Sequence, residues 1–260
     1  MTLVKRPSWI LPVIVSTQFA GGSPWFSGNA VLETLQRQWS MGSESLGYLT
    51  SAVQLGFILG TLCFAYFAVS DRHSPRVVFF VCSLLGAFSN LLIFLVAEGF
   101  YSMLLFRFLT GFFLAGIYPV GMKIAAGWYQ EGLGKAMGFL IGALVAGTAF
   151  PHLIKGMGAT LPWQAVIITT SAFSAAGGLL MLLLVPNGPY MKKGNSLNGQ
   201  ALQILLRSRP VRAAAIGYFG HMWELYTFWA FVPVVLGAYL AAHAGSSLNV
   251  SLWTFCIMAS

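Results

Sequence analysis

Long apolar runs separated by short polar segments make up most of this 260-residue chain. A helix rises about 1.5 Å per residue, so about 20 residues cross a hydrocarbon core of about 30 Å. Seven runs are about that long or longer: 9–35, 46–70, 77–97, 101–124, 136–154, 163–185 and 213–240. An eighth run begins near Asn249 and stops at Ser260, which is too short to span, so we expect a truncated second set of helices.

The longest polar stretch divides the runs into two groups. Residues 187–212 are rich in Asn, Gly, Ser and basic side chains, which is typical of a linker. We therefore predict an N-terminal six-helix transmembrane bundle over 1–186, a cytoplasmic basic linker over 187–212, and the start of a second bundle over 213–260. The predicted fold class is all-α and integral to a membrane, with helix 7 and a partial helix 8 in the second bundle.

The composition supports a membrane location. Hydrophobic residues make up 57% of the chain and charged residues 8%, whereas soluble domains average about 25% charged. The net charge of +8 comes from basic residues placed between apolar spans, so it predicts contact with lipid and no nucleic-acid partner. The cysteines have no metal-ligand spacing, and HExxH, GxSxG, CxxC and phosphate-loop motifs are missing. We expect no metal, no cofactor and no enzymatic activity.

The basic residues also predict the orientation. If the N-terminus is cytoplasmic, only Arg37 and Lys155 face outward. Eleven basic residues then lie inside: Lys5, Arg6, Arg72, Arg76, Lys123, Lys135, Lys192, Lys193, Arg207, Arg209 and Arg212. Cytoplasmic loops of membrane proteins carry such an excess. The sequence therefore predicts a multi-pass protein of the cytoplasmic (inner) membrane with its N-terminus in the cytoplasm.

Two charged residues lie deep inside apolar runs. Arg107 is about 9 Å from one end of the run 101–124, and Glu224 is about 16 Å into the run 213–240. Such residues mark functional sites by default, because a charge in lipid is costly. His221 lies one turn before Glu224 on the same face. For Arg107 two roles remain open, contact with substrate and a structural bond to backbone carbonyls. Glu224 could likewise bond only a neighbouring helix.

Other polar residues recur at helical spacing. Gln18, Gly22, Trp25 and Asn29 form one stripe in the first run, and Tyr118 shares a face with Arg107. We predict that Gln18, Trp25, Asn29 and Tyr118 line a solute cavity, with simple packing as the alternative. His152, near the outer end of the run 136–154, is expected at a water-exposed helix end.

Two motifs and the layout of the spans resemble a known family. The turn 71–76 is similar to a D-R-x-G-R-R loop, which it matches at Asp71, Arg72 and Arg76. The stretch 107–116 is similar to the motif R-x-x-x-G-x-x-x-x-G, and six spans precede a basic central loop. The whole chain thus resembles the N-terminal half, and a little more, of a major facilitator superfamily transporter.

That resemblance implies two six-helix bundles, alternating access, and a central cavity lined partly by helices 1, 4 and 7. We therefore hypothesise a proton-coupled secondary transporter of a small solute. Glu224 would carry the proton and His221 would tune it. Arg107 would be the ionic partner of Glu224 or a contact for an anionic substrate, and both would line the cavity. A non-transporting membrane scaffold or receptor and an inactive transporter fragment remain as alternatives.

The basic inner face also suggests a gate. Asp71 and Glu131 are the only acidic residues predicted on that face. We expect Asp71 to contact Arg72 or Arg76, or to cap the start of the third predicted helix, and Glu131 to approach the same arginines from the next cytoplasmic loop. These four residues would form a cytoplasmic gate that holds the inner side closed in one conformation.

Overall fold

The computed structural model describes residues 7–158, 161–191, 207–243 and 247–260. All regular secondary structure in these ranges is α-helical, which confirms the predicted fold class. The helices are α1 (Ile10–Gly22), α2 (Ser27–Trp39), α3 (Ser45–Tyr66), α4 (Val69–Arg72), α5 (Pro75–Leu95), α6 (Phe100–Leu114), α7 (Tyr118–Trp128), α8 (Leu133–Met157), α9 (Trp163–Leu184), α10 (Arg209–Ala242) and α11 (Val250–Ala259).

Within the described residues, six helical segments are long and apolar enough to cross a membrane. They are α3, α5, α6 continued by α7, α8, α9 and α10. Many of their large apolar side chains point outward, such as Leu62, which is 61% exposed. An outward apolar surface suits hydrocarbon rather than water. The predicted orientation stays a prediction, and four of its basic residues, Lys5, Arg6, Lys192 and Lys193, lie outside the described ranges.

The first predicted span is not one continuous helix. α1 ends at Gly22 and α2 begins at Ser27. Pro24 has no N–H to donate to the carbonyl of Ala20, and that carbonyl accepts from Ser23 instead, at 3.2 Å from the backbone N–H and 2.8 Å from Oγ. A proline inside a helical run removes a backbone hydrogen bond in this way. The break leaves backbone carbonyls of the first span available to another helix.

The fourth span changes direction at a similar point. α6 ends at Leu114 and α7 begins at Tyr118. Between the two helices, the Gly116 N–H donates to the Phe113 carbonyl at 2.9 Å, a bond across three residues. Pro119, in the first turn of α7, cannot donate to the carbonyl of Ala115. The fourth span is therefore interrupted next to this proline.

The bundle is closed by close backbone contacts between helices. α3 and α6 pack along each other, and a Cβ on Gly56 would lie 2.0 Å from the carbonyl oxygen of Phe108. A Cβ on Gly111 would lie 1.9 Å from the carbonyl oxygen of Val53. Only glycine fits at these two positions, which is the usual route to tight helix packing in membranes. α1 packs on α8 and α9, and α5 packs on α6 and α9.

α10 and α11 lie against this bundle beyond the predicted linker, most of which (192–206) is outside the described residues. α11 packs along α8, where Asn249 Nδ2 donates to the Gly156 carbonyl at 2.8 Å. Asn249 Oδ1 also caps α11 by accepting from the Leu252 N–H at 3.0 Å. The predicted domain boundaries agree with the gap between α9 and α10, but they stay a prediction.

Candidate functional site

Arg107 bonds the break in the first span. Its side chain is fully buried, and Nη1 donates to the Pro24 carbonyl at 2.9 Å and to Ser27 Oγ at 3.3 Å. Nη2 donates to the Trp25 carbonyl. A guanidinium offers five donors in a fixed plane, so it can serve several acceptors at once. The sequence left two roles open for Arg107, contact with substrate and a structural bond to backbone carbonyls. The contacts present in the structure are those of the structural bond.

A chain of polar side chains continues from Arg107 across the bundle. Ser27 Oγ donates to Asn90 Oδ1 at 2.6 Å, and Asn90 Nδ2 donates to Ser171 Oγ at 2.9 Å and Thr170 Oγ1 at 3.2 Å. The four helices α2, α5, α6 and α9 are thereby joined. Our sequence analysis missed Asn90, although it is a lone amide in an otherwise apolar run. A lone amide of that kind is the signal that could have identified it.

Trp25 and Phe26, in the break held by Arg107, contact α10. The ring of Trp25 stacks on Tyr226 with centroids 5.5 Å apart, and Phe26 meets Trp229 edge-on at 6.3 Å. Trp25 is 2% exposed, and its indole N–H has no partner among the described residues. The predicted cavity residue Trp25 is thus part of an aromatic contact between the six-helix bundle and α10.

The other predicted cavity residues are not brought together in one place. Gln18 is fully buried inside the bundle, and neither of its amide atoms bonds a described residue. Asn29 lies beyond the break and donates to Thr50 Oγ1 at 2.8 Å. Tyr118 is half-buried at the start of α7. The break between α1 and α2 separates Gln18 from Asn29, which a continuous helix would have aligned.

Glu224 and His221 are exposed on α10. Glu224 is two positions before Tyr226, which places it about 200° around the helix, on the face turned away from the bundle. No hydrogen bond or ion pair of Glu224 is present in the described part of the chain. The structure therefore does not bring Arg107 and Glu224 together, and their pairing stays a prediction.

At the other end of the bundle, Asp71 pairs with a residue that we did not include in the gate. Lys123 Nζ lies 2.5 Å from Asp71 Oδ1 and also donates to the Ser70 carbonyl at 2.8 Å. Arg76 reaches the Leu182 carbonyl at 3.4 Å. Glu131 is exposed and belongs to no ion pair within the described ranges. The roles of Arg72, Arg76 and Glu131 in a gate stay predictions.

A cavity of about 990 Å³ opens between the bundle and α10. We call it the vestibule; its polar wall comes from α2, α8 and the loop between α2 and α3, which adds Ser43 and Glu44, and α10 and the start of α11 complete it. The polar side chains of the first two helices are Asn29, Glu33, Gln36, Arg37, His152 and Lys155. His152 is 2% exposed, so our expectation of a water-exposed helix end was wrong. α11 packs against this end of α8, where Asn249 bonds the Gly156 carbonyl, and α2 also packs on α8.

Comparison with protein families matches almost the whole chain to one family. The family model described as Major Facilitator Superfamily matches residues 14–260. The uncharacterized transporter YgaY of Escherichia coli O157:H7 is 25% identical over 219 residues, which are 81% of this chain and 53% of that protein. The uncharacterized MFS-type transporter YceJ of Bacillus subtilis is 28% identical over 185 residues, 70% of this chain and 45% of that protein. The chain thus spans about half the length of the curated relatives it matches.

Solved structures share the fold at lower identity. An inward-facing, occupied structure of a bacterial homologue of the human lysosomal transporter Spinster superposes with a TM-score of 0.65 and 16% identity, covering 97% of this chain and 58% of that one. The inward-open xylose transporter XylE from E. coli has a TM-score of 0.55 and 17% identity, covering 87% of this chain and 58% of that one. These likenesses show the fold.

Proposed function

The chain belongs to the major facilitator superfamily, and from that premise we propose that the protein is a secondary transporter that moves a small solute by alternating access and uses protons as the driving ion. The proposal concerns the activity of the whole protein. Its strongest structural support is the uneven contact between α10 and the six-helix bundle.

One face of α10 is covered in one half and open in the other. Tyr218 and Trp229 are eleven residues apart, about three turns, so they share a face. Trp229 is 7% exposed because it packs against Phe26, whereas Tyr218 is 61% exposed. A transporter caught with one side closed and the other open has such an interface. The aromatic contact would be the closed end, and it would separate when the cavity opens to the opposite side.

Chemical cross-linking of the aromatic contact tests alternating access. Phe26→Cys and Trp229→Cys are combined in a protein whose Cys63, Cys82 and Cys256 are replaced by serine. A short bifunctional thiol reagent that forms reducible bonds should stop solute uptake in proteoliposomes, and reduction should restore it. Each single-cysteine variant treated with the same reagent is the control. Undiminished uptake by the cross-linked protein would exclude a moving contact at this position.

Proton coupling is proposed for Glu224 with His221. Glu224 lies near the midpoint of α10 (Arg209–Ala242), and a carboxylate at that depth is a common site of proton exchange. His221 is one turn away on the same face. Arg107, in this proposal, positions the aromatic break rather than pairing directly with Glu224.

The coupling is tested by Glu224→Gln, which mimics the protonated carboxylate. This variant should lose accumulation driven by a pH gradient while solute exchange without a gradient continues. Glu98→Gln, in the loop before α6, is the matched control and should behave as the unmodified protein does. Normal pH-driven accumulation by the Glu224 variant would remove that residue from the coupling step.

A further inference from the structure

The vestibule has two chemically different walls. Side chains of α2 and α8 form a polar wall, whereas α10 supplies an apolar one with Ala230, Phe231, Pro233 and Val234. Ligand sites usually combine an apolar surface with a few polar groups that converge on one point. The volume of about 990 Å³ is large enough for a small organic solute.

Two polar atoms in this cavity have no partner among the described residues. They are Nε2 of His152, whose side chain is almost completely buried, and Oδ1 of the half-buried Asn29. A buried polar atom without a hydrogen bond is costly, so such atoms are normally satisfied by protein, water or ligand. His152 lines the vestibule, and a group bound there can therefore supply the missing partner.

Lys155 is the second group directed at this site. It is three residues after His152 on α8, so the two side chains share a face. Its ammonium is 3.9 Å from Glu33 Oε2, which is beyond hydrogen-bond length, and the other oxygen of Glu33 is bonded by Arg37. Lys155 is thus held only loosely by its neighbour. Its N–H donors remain available to an anion.

We propose that the vestibule binds a small amphiphilic carboxylate. The carboxylate group accepts hydrogen bonds from the ammonium of Lys155 and from Nε2–H of His152, and the apolar part of the solute lies against Phe231 and Val234. Charge-assisted bonds of this kind are about twice as strong as neutral ones. As a statement about the transported solute, this inference rests on the proposed transport function, whereas binding at the site can be measured without transport.

Binding of benzoate and of its neutral analogue benzamide tests the proposal. Calorimetric titration of the purified protein should show benzoate binding, with benzamide weaker by about tenfold or more, because the charged acceptor is lost. Lys155→Met should weaken benzoate binding by a similar factor, and Lys155→Arg should restore most of it. His152→Leu should also weaken it, whereas His152→Gln, which keeps an N–H donor, should weaken it less.

Lys135→Met is the matched control, since this lysine is exposed at the opposite end of the same helix. Equal affinity for benzoate and benzamide, no benzoate binding, or an unchanged affinity in Lys155→Met would overturn the site. If Lys155→Met abolishes benzoate binding while proton-driven uptake of the transported solute continues, this inference alone is disproved. Normal benzoate binding in a protein that transports nothing would instead disprove the proposed function.

Discussion

Arg107 and Glu224 are both charged residues within long apolar helices, yet their surroundings are opposite. Arg107 is fully buried, and its guanidinium bonds two backbone carbonyls and a hydroxyl in the first span. Glu224 is exposed on the outer face of α10 and bonds no described residue. Depth in the membrane is therefore a poor guide to role. The two residues differ instead in the helix face that they occupy and in the partners within reach.

The difference follows from what each side chain can bond. A guanidinium is a donor only, so it suits a place where a broken helix presents carbonyl oxygens. An ionised carboxylate is an acceptor only, and the neighbouring helical backbone has its N–H groups already bonded. The break at Pro24 creates acceptors for Arg107, whereas α10 continues through Pro233 as one helix and presents no comparable set of donors to Glu224.

The largest expected effect is on stability when Arg107 is replaced. Arg107→Met leaves the Trp25 carbonyl buried without a donor and removes one further bond each from the Pro24 carbonyl and Ser27 Oγ, which should lower the free energy of unfolding by about 2–5 kcal/mol. Unfolding by titration with SDS in mixed micelles measures it. Arg107→Lys, which keeps a charged donor, should lose less, and Arg209→Met at an exposed position is the control. If Arg107→Met hardly changes the free energy of unfolding, the bonds of Arg107 do not stabilise the bundle.

Asn90→Ala extends the test along the same polar chain. The variant removes the acceptor of Ser27 and the donor of Thr170 and Ser171, so it should lower the free energy of unfolding by about 1–3 kcal/mol. Asn187→Ala, at an exposed amide, serves as the matched control in the same titration. If both alanine variants have the same free energy of unfolding, the hydrogen bonds of Asn90 add nothing to the stability that Arg107 provides at the break.

Asp71→Asn removes a partly exposed ion pair, so its effect on unfolding should be only ~0–1 kcal/mol. Its larger effect should be on the balance between inward-open and outward-open forms, which thiol accessibility of a cysteine placed at Tyr118 would report. The exchanged pair Asp71→Lys with Lys123→Asp should restore the original accessibility. An unchanged accessibility in Asp71→Asn would show that this pair is not part of a gate.

The smallest expected effect on stability is that of Glu224→Gln, at most about 0.5 kcal/mol, because no described residue loses a partner. The same SDS titration used for Arg107 measures it, so the two charges are compared under identical conditions. A destabilisation as large as that of Arg107→Met would mean that Glu224 is a structural residue, contrary to its proposed use in proton exchange.

Hydropathy predicted most of the fold. The expected runs 46–70, 77–97 and 163–185 correspond to α3, α5 and α9 within a few residues. Helices in lipid must satisfy their backbone internally, so a long apolar run leaves few alternatives to a helix. The family resemblance, based on the turn 71–76 and the stretch 107–116, is confirmed by the family model over residues 14–260.

The site was less predictable, because distance along a helix does not give direction around it. Counting residues placed Arg107 and Glu224 at similar depths but could not show that they point to different neighbours. Which carbonyls the break at Pro24 frees, and which helix binds them, depends on packing that the sequence does not show. His152 was misjudged for the same reason, since its own run does not show that α2 and α11 pack against α8.

The bond between Arg107 and the first span also constrains how the protein is made. The chain is synthesised from its N-terminus, and the donor for the Trp25 carbonyl is 82 residues further along. Until the fourth span arrives, the Trp25 carbonyl lacks a donor that lipid cannot supply, whereas the Pro24 carbonyl already accepts from Ser27. The first span is thus completed only after the fourth span has been inserted beside it.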